Sequence, residues 1–240
     1  MLNISYLIPI VCFWHTISTE ISKYKHELLS NNIISFVNCI LFILHHNYDY
    51  NLEYAVHIGI GFYTYDLMYI FSRIYRANAN AGADANANAD ANAGADANAG
   101  AKDEFKRHFP FIVHHLAGIC VLNASLTGES QEHLLGGYNI IERSNIMIYV
   151  SYYLHKEYTN WFHLNIISDF CQLMTYSYYR LFILTAFIYN NQSQFFQFYF
   201  TTQFLIFALY SMGVIWSYKL VNKNIKNLNV LKERHYRYKD

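Results

Sequence analysis

The sequence contains little proline and few charged residues. Two of its 240 residues are proline and 14% are Asp, Glu, Lys or Arg, whereas 54% are hydrophobic and 18% are aromatic. Charges this sparse cannot coat a soluble protein of this length. The formal net charge of zero excludes a general polyanion binder, so we expect no nucleic-acid partner. The composition therefore indicates a membrane protein.

Cysteine is also scarce. The chain has four cysteines, all in apolar stretches and without a CxxC spacing. We predict that they are small core residues rather than disulfides or metal ligands. The adjacent histidines His114 and His115 have no third and fourth ligand at helical spacing. The sequence therefore predicts no metal and no other bound cofactor.

The apolar residues cluster in seven stretches that a roughly 20-residue window identifies as candidate membrane spans. They lie at residues 2–18, 32–44, 53–75, 109–127, 137–154, 163–189 and 198–220. We therefore predict an all-α fold, a polytopic membrane helix bundle of about seven spans. Residues 1–29 form the first span and a cytosolic loop, and residues 221–240 form a basic cytosolic tail.

The positive charges define a topology for these spans. Every Lys and Arg except Arg143 and Arg180 falls before, between or after spans on one side of the membrane. Cytosolic loops collect Lys and Arg, so this distribution predicts a lumenal or extracellular N-terminus and a cytosolic C-terminus.

Residues 77–101 are a short-period tract of Ala, Asn, Gly and Asp. Asn and Gly oppose the helix that Ala favours, and nothing in the tract can be buried in a core. We predict a disordered cytosolic linker between the third and fourth spans.

Ionisable residues inside the spans are the strongest functional signal, because a charge at a helix centre costs about 2.5–3.5 kcal/mol on insertion scales. From the helix rise, His114, His115, Asp66 and Asp169 lie about 8–13 Å from the cytosolic side and are predicted to meet at one level. Glu142 lies deeper, where a Glu142–Arg180 pair is plausible. Two structural alternatives remain open: Asp66 pairs with Arg73 on the same face, and Glu142 pairs with its neighbour Arg143.

The sixth span carries a polar stripe. Its members recur at steps of three or four residues and therefore share one helix face: Asn165, Asp169, Gln172, Tyr176 and Arg180. Such a face is predicted to point into the bundle rather than toward lipid.

Four segments, in order, resemble those of the TLC domain family of multi-pass membrane proteins. GFYTYDLMYI (61–70) resembles its G-Y-F-x-Y-D-L segment, and VHHLAGI (113–119) resembles its paired-histidine helix. ERSN (142–145) resembles the E-x-S/T element of the branch that lacks ceramide synthases, and YYRLFIL (178–184) resembles an aromatic-Arg-apolar segment. The resemblance covers roughly residues 30–220.

This resemblance implies a helix bundle enclosing a lipid-sized cavity in the endoplasmic reticulum membrane. In the ceramide synthase branch the paired histidines belong to the active site. Carried over, His114 or His115 acts as general base or acyl acceptor, with Asp66, Asp169 or Glu142 nearby, and membrane lipids, acyl-CoA and a sphingoid base are the implied partners.

The sequence also departs from the ceramide synthases. These enzymes have a His-Asp element and a further Asp about 27 residues after the histidine pair, where this chain has Ile141, Glu142 and Asn145. Two functions therefore stay open. One is an acyl-CoA-dependent acyltransferase, and the other is a non-catalytic lipid-binding protein that regulates membrane lipid composition or trafficking.

Overall fold

The computed structural model describes residues 4–48, 52–87, 93–127 and 131–237, and every secondary-structure element within them is helical. A helix satisfies its backbone hydrogen bonds internally, which is why apolar segments adopt it in lipid. In chain order the helices are α1 (Ile4–Ser22), α2 (Glu27–Asn47), α3 (Leu52–Ala87), α4 (Ala93–Leu126), α5 (Gln131–Glu157), α6 (Phe162–Ser177), a π-helical segment (Tyr178–Ile183), α7 (Leu184–Asn190), α8 (Gln192–Phe195) and α9 (Phe200–Arg237).

The predicted spans fall on helical segments, the sixth of them on α6, the π-helical segment and α7, so the all-helical prediction is confirmed. Three helical stretches are long and apolar enough to cross a membrane: Glu27–Asn47, Lys102–Leu126 and Phe200–Glu233. They are consistent with a membrane protein. The other four spans stay predictions, because their helices are shorter or carry more polar residues, such as Glu142 and Arg143 in α5.

The helices form a ring in which each contacts the next. Going round, α3 packs on α4, α4 on α9, α9 on α6, α6 on α5, α5 on α2, and α2 on α3 again. Helix α1 lies outside this ring, against α3 and α2. The interior of the ring is therefore bounded by six helices, and α9 closes it by packing on both α4 and α6.

Small residues let neighbouring helices of the bundle approach closely, as is common where lipid offers no hydrophobic drive for helix association. A Cβ atom on Gly61 of α3 would collide with Ile10 of α1. A Cβ atom on Gly118 of α4 would lie 2.6 Å from Tyr63 Cε2 of α3. The buried Trp14 side chain also anchors α1, since its ring meets Phe62 edge-on at 5.8 Å.

Helix α9 is longer than a membrane span requires. With 38 residues, α9 extends about 57 Å, nearly twice the hydrocarbon thickness, so the predicted basic tail continues it as helix.

At the end of α5, Glu157 Oε2 accepts a hydrogen bond from Lys25 Nζ at 2.6 Å, which raises the pKa of Lys25.

Helices α3 and α4 enter the Ala/Asn-rich tract from both sides. Residues 88–92 lie outside the described part of the chain, as do the side chains of residues 80–101. The disordered linker at 77–101 therefore stays a prediction.

Candidate active site

Asp66 of α3 and His115 of α4 form a buried pair inside the ring. His115 Nε2 lies 2.6 Å from Asp66 Oδ2, and Asn31 of α2 donates from Nδ2 to Asp66 Oδ1 at 2.6 Å. The bond to Asp66 fixes the imidazole tautomer with its proton on Nε2. Its Nδ1 is buried and has no hydrogen-bond partner among the described residues. His115 is therefore held in place by its hydrogen bond to Asp66.

His114 is placed differently from its neighbour. Its ring meets Tyr63 edge-on at 6.1 Å and lies 5.5 Å from the ring of His115 and 5.7 Å from that of Trp216. Within the described residues neither of its ring nitrogens makes a hydrogen bond, and the side chain lines a cavity. Of the two histidines, His114 is thus the one available to a ligand.

Tyr63 connects the histidines to Glu142. Its hydroxyl donates to Glu142 Oε1 at 3.1 Å and accepts a hydrogen bond from Tyr138 at 2.7 Å. Its ring lies 4.9 Å from that of His115, and Gly118 leaves room for it on α4. The Glu142 carboxylate therefore forms its hydrogen bond with Tyr63 and not with the histidines.

Glu142 and Arg180 are linked through Asn145 rather than by a direct ion pair. Asn145 Nδ2 donates to Glu142 Oε2 at 3.5 Å, and its Oδ1 accepts from Arg180 at 3.5 Å. Arg180 Nε also donates to Ser144 Oγ at 2.8 Å. Arg180 is only 2% exposed and lies in the π-helical segment, a deviation that often marks functional sites.

The cavity inside the ring has a volume of about 280 Å³. Its walls include Asp66, His114, His115, Asn145 and Trp216. This volume is just below the usual range of about 300–1,000 Å³ for ligand pockets, so it suits a reacting head group rather than a whole lipid.

One side of the cavity reaches the basic end of the bundle. Arg73 and His108 both line it there, and both bind Glu104, at 2.8 Å and 3.1 Å. This is the end that the charge distribution predicts to be cytosolic. A water-soluble reactant from that side would meet these groups first.

Asp169 lies apart from the histidines. Its carboxylate accepts hydrogen bonds from Ser151 at 2.9 Å, Lys223 at 2.6 Å and Asn227 at 2.8 Å, and lies 2.8 Å from His155 Nε2. It therefore joins α5, α6 and α9. Helix rise gave the depth of Asp169 but not the direction in which it points, so the structure brings together only three of the four groups predicted to meet.

The polar stripe of the sixth predicted span, which runs along α6 into the π-helical segment, faces inward, as predicted. All five of its members are buried: Asn165, Asp169, Gln172, Tyr176 and Arg180. Neither structural alternative for the acids occurs, because Arg73 binds Glu104 and Arg143 donates to Asn47.

Replacing Asp169 with alanine tests its placement. We expect a loss of about 2–4 kcal/mol of stability, because several charge-assisted hydrogen bonds disappear together. Activity per folded molecule should not change. The matched control is Asp103→Ala, which removes an exposed carboxylate 4.0 Å from Lys106 and should cost little. The stability is measured by thermal denaturation in detergent. A stable but inactive Asp169→Ala protein would show that Asp169 takes part in the active site.

The site contains residues that the sequence did not single out, namely Tyr63, Asn31 and Tyr138. A signal for Tyr63 existed, since it lies three residues before Asp66 and shares its helix face. Asn31 and Tyr138 gave no comparable signal, because they come from α2 and α5, whose positions beside α3 depend on the tertiary fold.

No arrangement for a metal occurs in the part of the chain that the structure describes, where no three His, Cys, Asp or Glu side chains converge.

Comparisons with known proteins found no matching family model, no matching curated protein and no matching solved structure. The inference to function therefore depends on the cavity and its residues.

Proposed function

We propose that this protein acts on membrane lipids as an acyl-CoA-dependent acyltransferase of the ceramide synthase type. The observation that carries the proposal is the pairing of His115 with Asp66 beside a second histidine, His114, that makes no hydrogen bond to any described residue and lines a cavity. A neutral imidazole in such a place is suited to accept a proton.

The reaction needs one proton carrier. An amine nitrogen attacks the carbonyl carbon of an acyl thioester, and His114 takes the proton that the amine loses. The carbon–sulfur bond then breaks, and the proton passes from His114 to the leaving thiolate. The products are an amide and a free thiol, so atoms and charges balance.

The neighbouring groups hold His114 in place. Asp66 fixes His115, and Tyr63 touches both imidazole rings while its hydroxyl is held by Glu142 and Tyr138. Glu142 is therefore a positioning residue in this proposal. A cytosolic acyl thioester would enter past Arg73, in an endoplasmic reticulum membrane with the N-terminus lumenal.

The test is acyl transfer in membranes that lack endogenous ceramide synthase. Full-length protein is supplied with a sphingoid base and a panel of acyl-CoA thioesters, and N-acyl product is measured by mass spectrometry. We expect product above that of membranes without the protein. Absence of product from folded, correctly inserted protein would overturn the acyltransferase proposal.

A second candidate is a non-catalytic lipid-binding protein of the TLC type that alters membrane lipid composition or trafficking. It is favoured by the hydrogen bonds that occupy Glu142 and Asp169, which leave Asp66 as the one acid of the three on the cavity wall. This candidate predicts a stoichiometric lipid bound to purified protein, identified by mass spectrometry, and no turnover.

A further inference from the structure

Helix α9 carries one apolar stripe on the outer side of the ring. Its members follow one another at alternating steps of four and three residues: Phe200, Phe204, Phe207, Ser211, Val214, Tyr218, Val221, Ile225 and Leu228. All except Ser211 are apolar or aromatic, and each of these is 40–80% exposed. We call these residues the α9 stripe. A mean spacing of about 3.5 residues is that of a seam between two helices that coil around each other.

The cytosolic half of the stripe is not explained by contact with lipid. Between residues 219 and 229 the helix is polar, with lysine or asparagine at most positions. Lys219, Lys226 and Asn229 are exposed there, so this part of α9 faces head groups or water rather than hydrocarbon. The stripe nevertheless stays apolar at Ile225 and Leu228. An apolar seam on a polar helix indicates that another protein helix covers it.

A second copy of this chain presents a matching seam. Every copy inserts with the same orientation, because the distribution of Lys and Arg sets it. Two copies therefore bring their stripes together in parallel and at the same depth, so that each stripe residue faces its own counterpart across a two-fold axis. Ser211, near the middle, is small enough for close approach of the two backbones, and a polar seam residue of this kind fixes register.

The positions beside the seam are compatible with pairing of identical chains. None of the residues that flank the stripe within the heptad repeat is charged: Thr201, Gln203, Ala208, Tyr210, Ile215, Ser217, Asn222, Asn224 and Asn229. The lysines at 219, 223 and 226 occupy the remaining heptad positions, away from the seam. Two copies therefore meet without like charges opposite each other. The next seam position is Lys232, which ends the stripe.

The stripe is large enough for a stable dimer. Burying the exposed parts of its apolar side chains on both copies removes on the order of 1,500 Å² of accessible surface, the size of a standard specific interface. The pairing also leaves the histidine cavity free. Trp216 is the α9 residue that lines this cavity, and it points away from the neighbouring stripe residues Val214 and Tyr218.

We infer that two copies of this chain form a parallel homodimer in the membrane, in which the α9 stripe of one copy packs against the α9 stripe of the other. The interface runs from Phe200 to Leu228, about 42 Å along the helix. It does not depend on the proposed function, because no stripe residue lines the histidine cavity.

The first test is cross-linking through cysteines introduced one at a time into the full-length protein in membranes. Val221→Cys and Leu228→Cys each place two thiols opposite each other across the seam. The control is Val230→Cys, which is exposed near the same level but on the far side of α9. Under a mild oxidant we expect about fivefold more covalent dimer from the stripe variants than from the control or the wild-type chain, since a disulfide needs Cα atoms within about 7 Å. Equal yields would overturn the inference.

The second test counts copies. Full-length protein carrying a fluorophore is examined in membrane vesicles, where photobleaching in two steps identifies a dimer without exposing the interface to detergent. Leu228→Lys should lower the two-step fraction about tenfold, because two like charges then meet at the seam. Val230→Lys adds the same charge away from the seam and should leave that fraction unchanged.

Thermal denaturation is recorded for both lysine variants, and each should keep the wild-type midpoint because its side chain is exposed in the single copy. Single-step bleaching of the wild-type protein would show that no dimer forms. Two-step bleaching that survives Leu228→Lys would show that the copies meet through another surface. Either result contradicts the assignment of the α9 stripe.

Discussion

Replacing His114 with alanine is expected to lower acyl transfer by a factor of about 100 to 10,000, the usual contribution of general acid–base catalysis. The fold should survive, because His114 contributes ring contacts and no hydrogen bond among the described residues. His114→Gln fills more of the space but cannot take up the proton, so it should be equally inactive.

The matched control is His163→Ala. His163 is exposed on α6, away from the cavity, and its ring contact is with the adjacent Phe162. Rates are compared at equal amounts of folded protein, with thermal denaturation recorded for each variant. A His114→Gln protein that keeps wild-type activity would show that His114 is not the proton acceptor.

Replacing His115 with alanine is expected to act mainly on stability. The change leaves the Asp66 carboxylate buried without its hydrogen bond to His115 Nε2, and leaving a buried charge without its partner typically costs about 3–5 kcal/mol. The hydrogen bond from Asn31 remains but satisfies only the other carboxylate oxygen, Oδ1. We therefore expect a large fall in the midpoint of thermal denaturation, and lower activity as a consequence of less folded protein.

Neutralising the carboxylate should reverse most of that loss. In the double variant His115→Ala with Asp66→Asn, no buried charge is left, so its stability should exceed that of His115→Ala alone. The four proteins of this double-mutant cycle isolate the coupling between the two side chains. Additive effects would mean that the 2.6 Å contact makes no net contribution.

The sequence predicted helices and buried polar groups well where the pattern within a single helix was sufficient. The stripe from Asn165 to Arg180 follows from helical periodicity alone, and its members are buried. Periodicity shows which residues share a face, but it does not show which helix covers that face. For this reason Asp169 was expected beside the histidines, whereas it binds Lys223 and Asn227 of α9.

The difference between His114 and His115 also lies beyond sequence reasoning. Adjacent residues on a helix point about 100° apart, so only one of them can face Asp66. Which of the two faces Asp66 depends on how α4 is rotated about its axis relative to α3. The close contact of Gly118 with the Tyr63 ring occurs in the observed rotation.

By itself the sequence determined an all-helical chain rich in apolar stretches, with ionisable residues placed where their burial is too costly to be accidental. Local propensity and periodicity are enough for that, because they act within one helix. The tertiary structure alone decided that the histidines lie between α3, α4 and α9, that His115 binds Asp66 while His114 makes no hydrogen bond to any described residue, and that α1 packs outside the ring against α3. Those outcomes depend on contacts between segments distant in sequence, which no local pattern encodes.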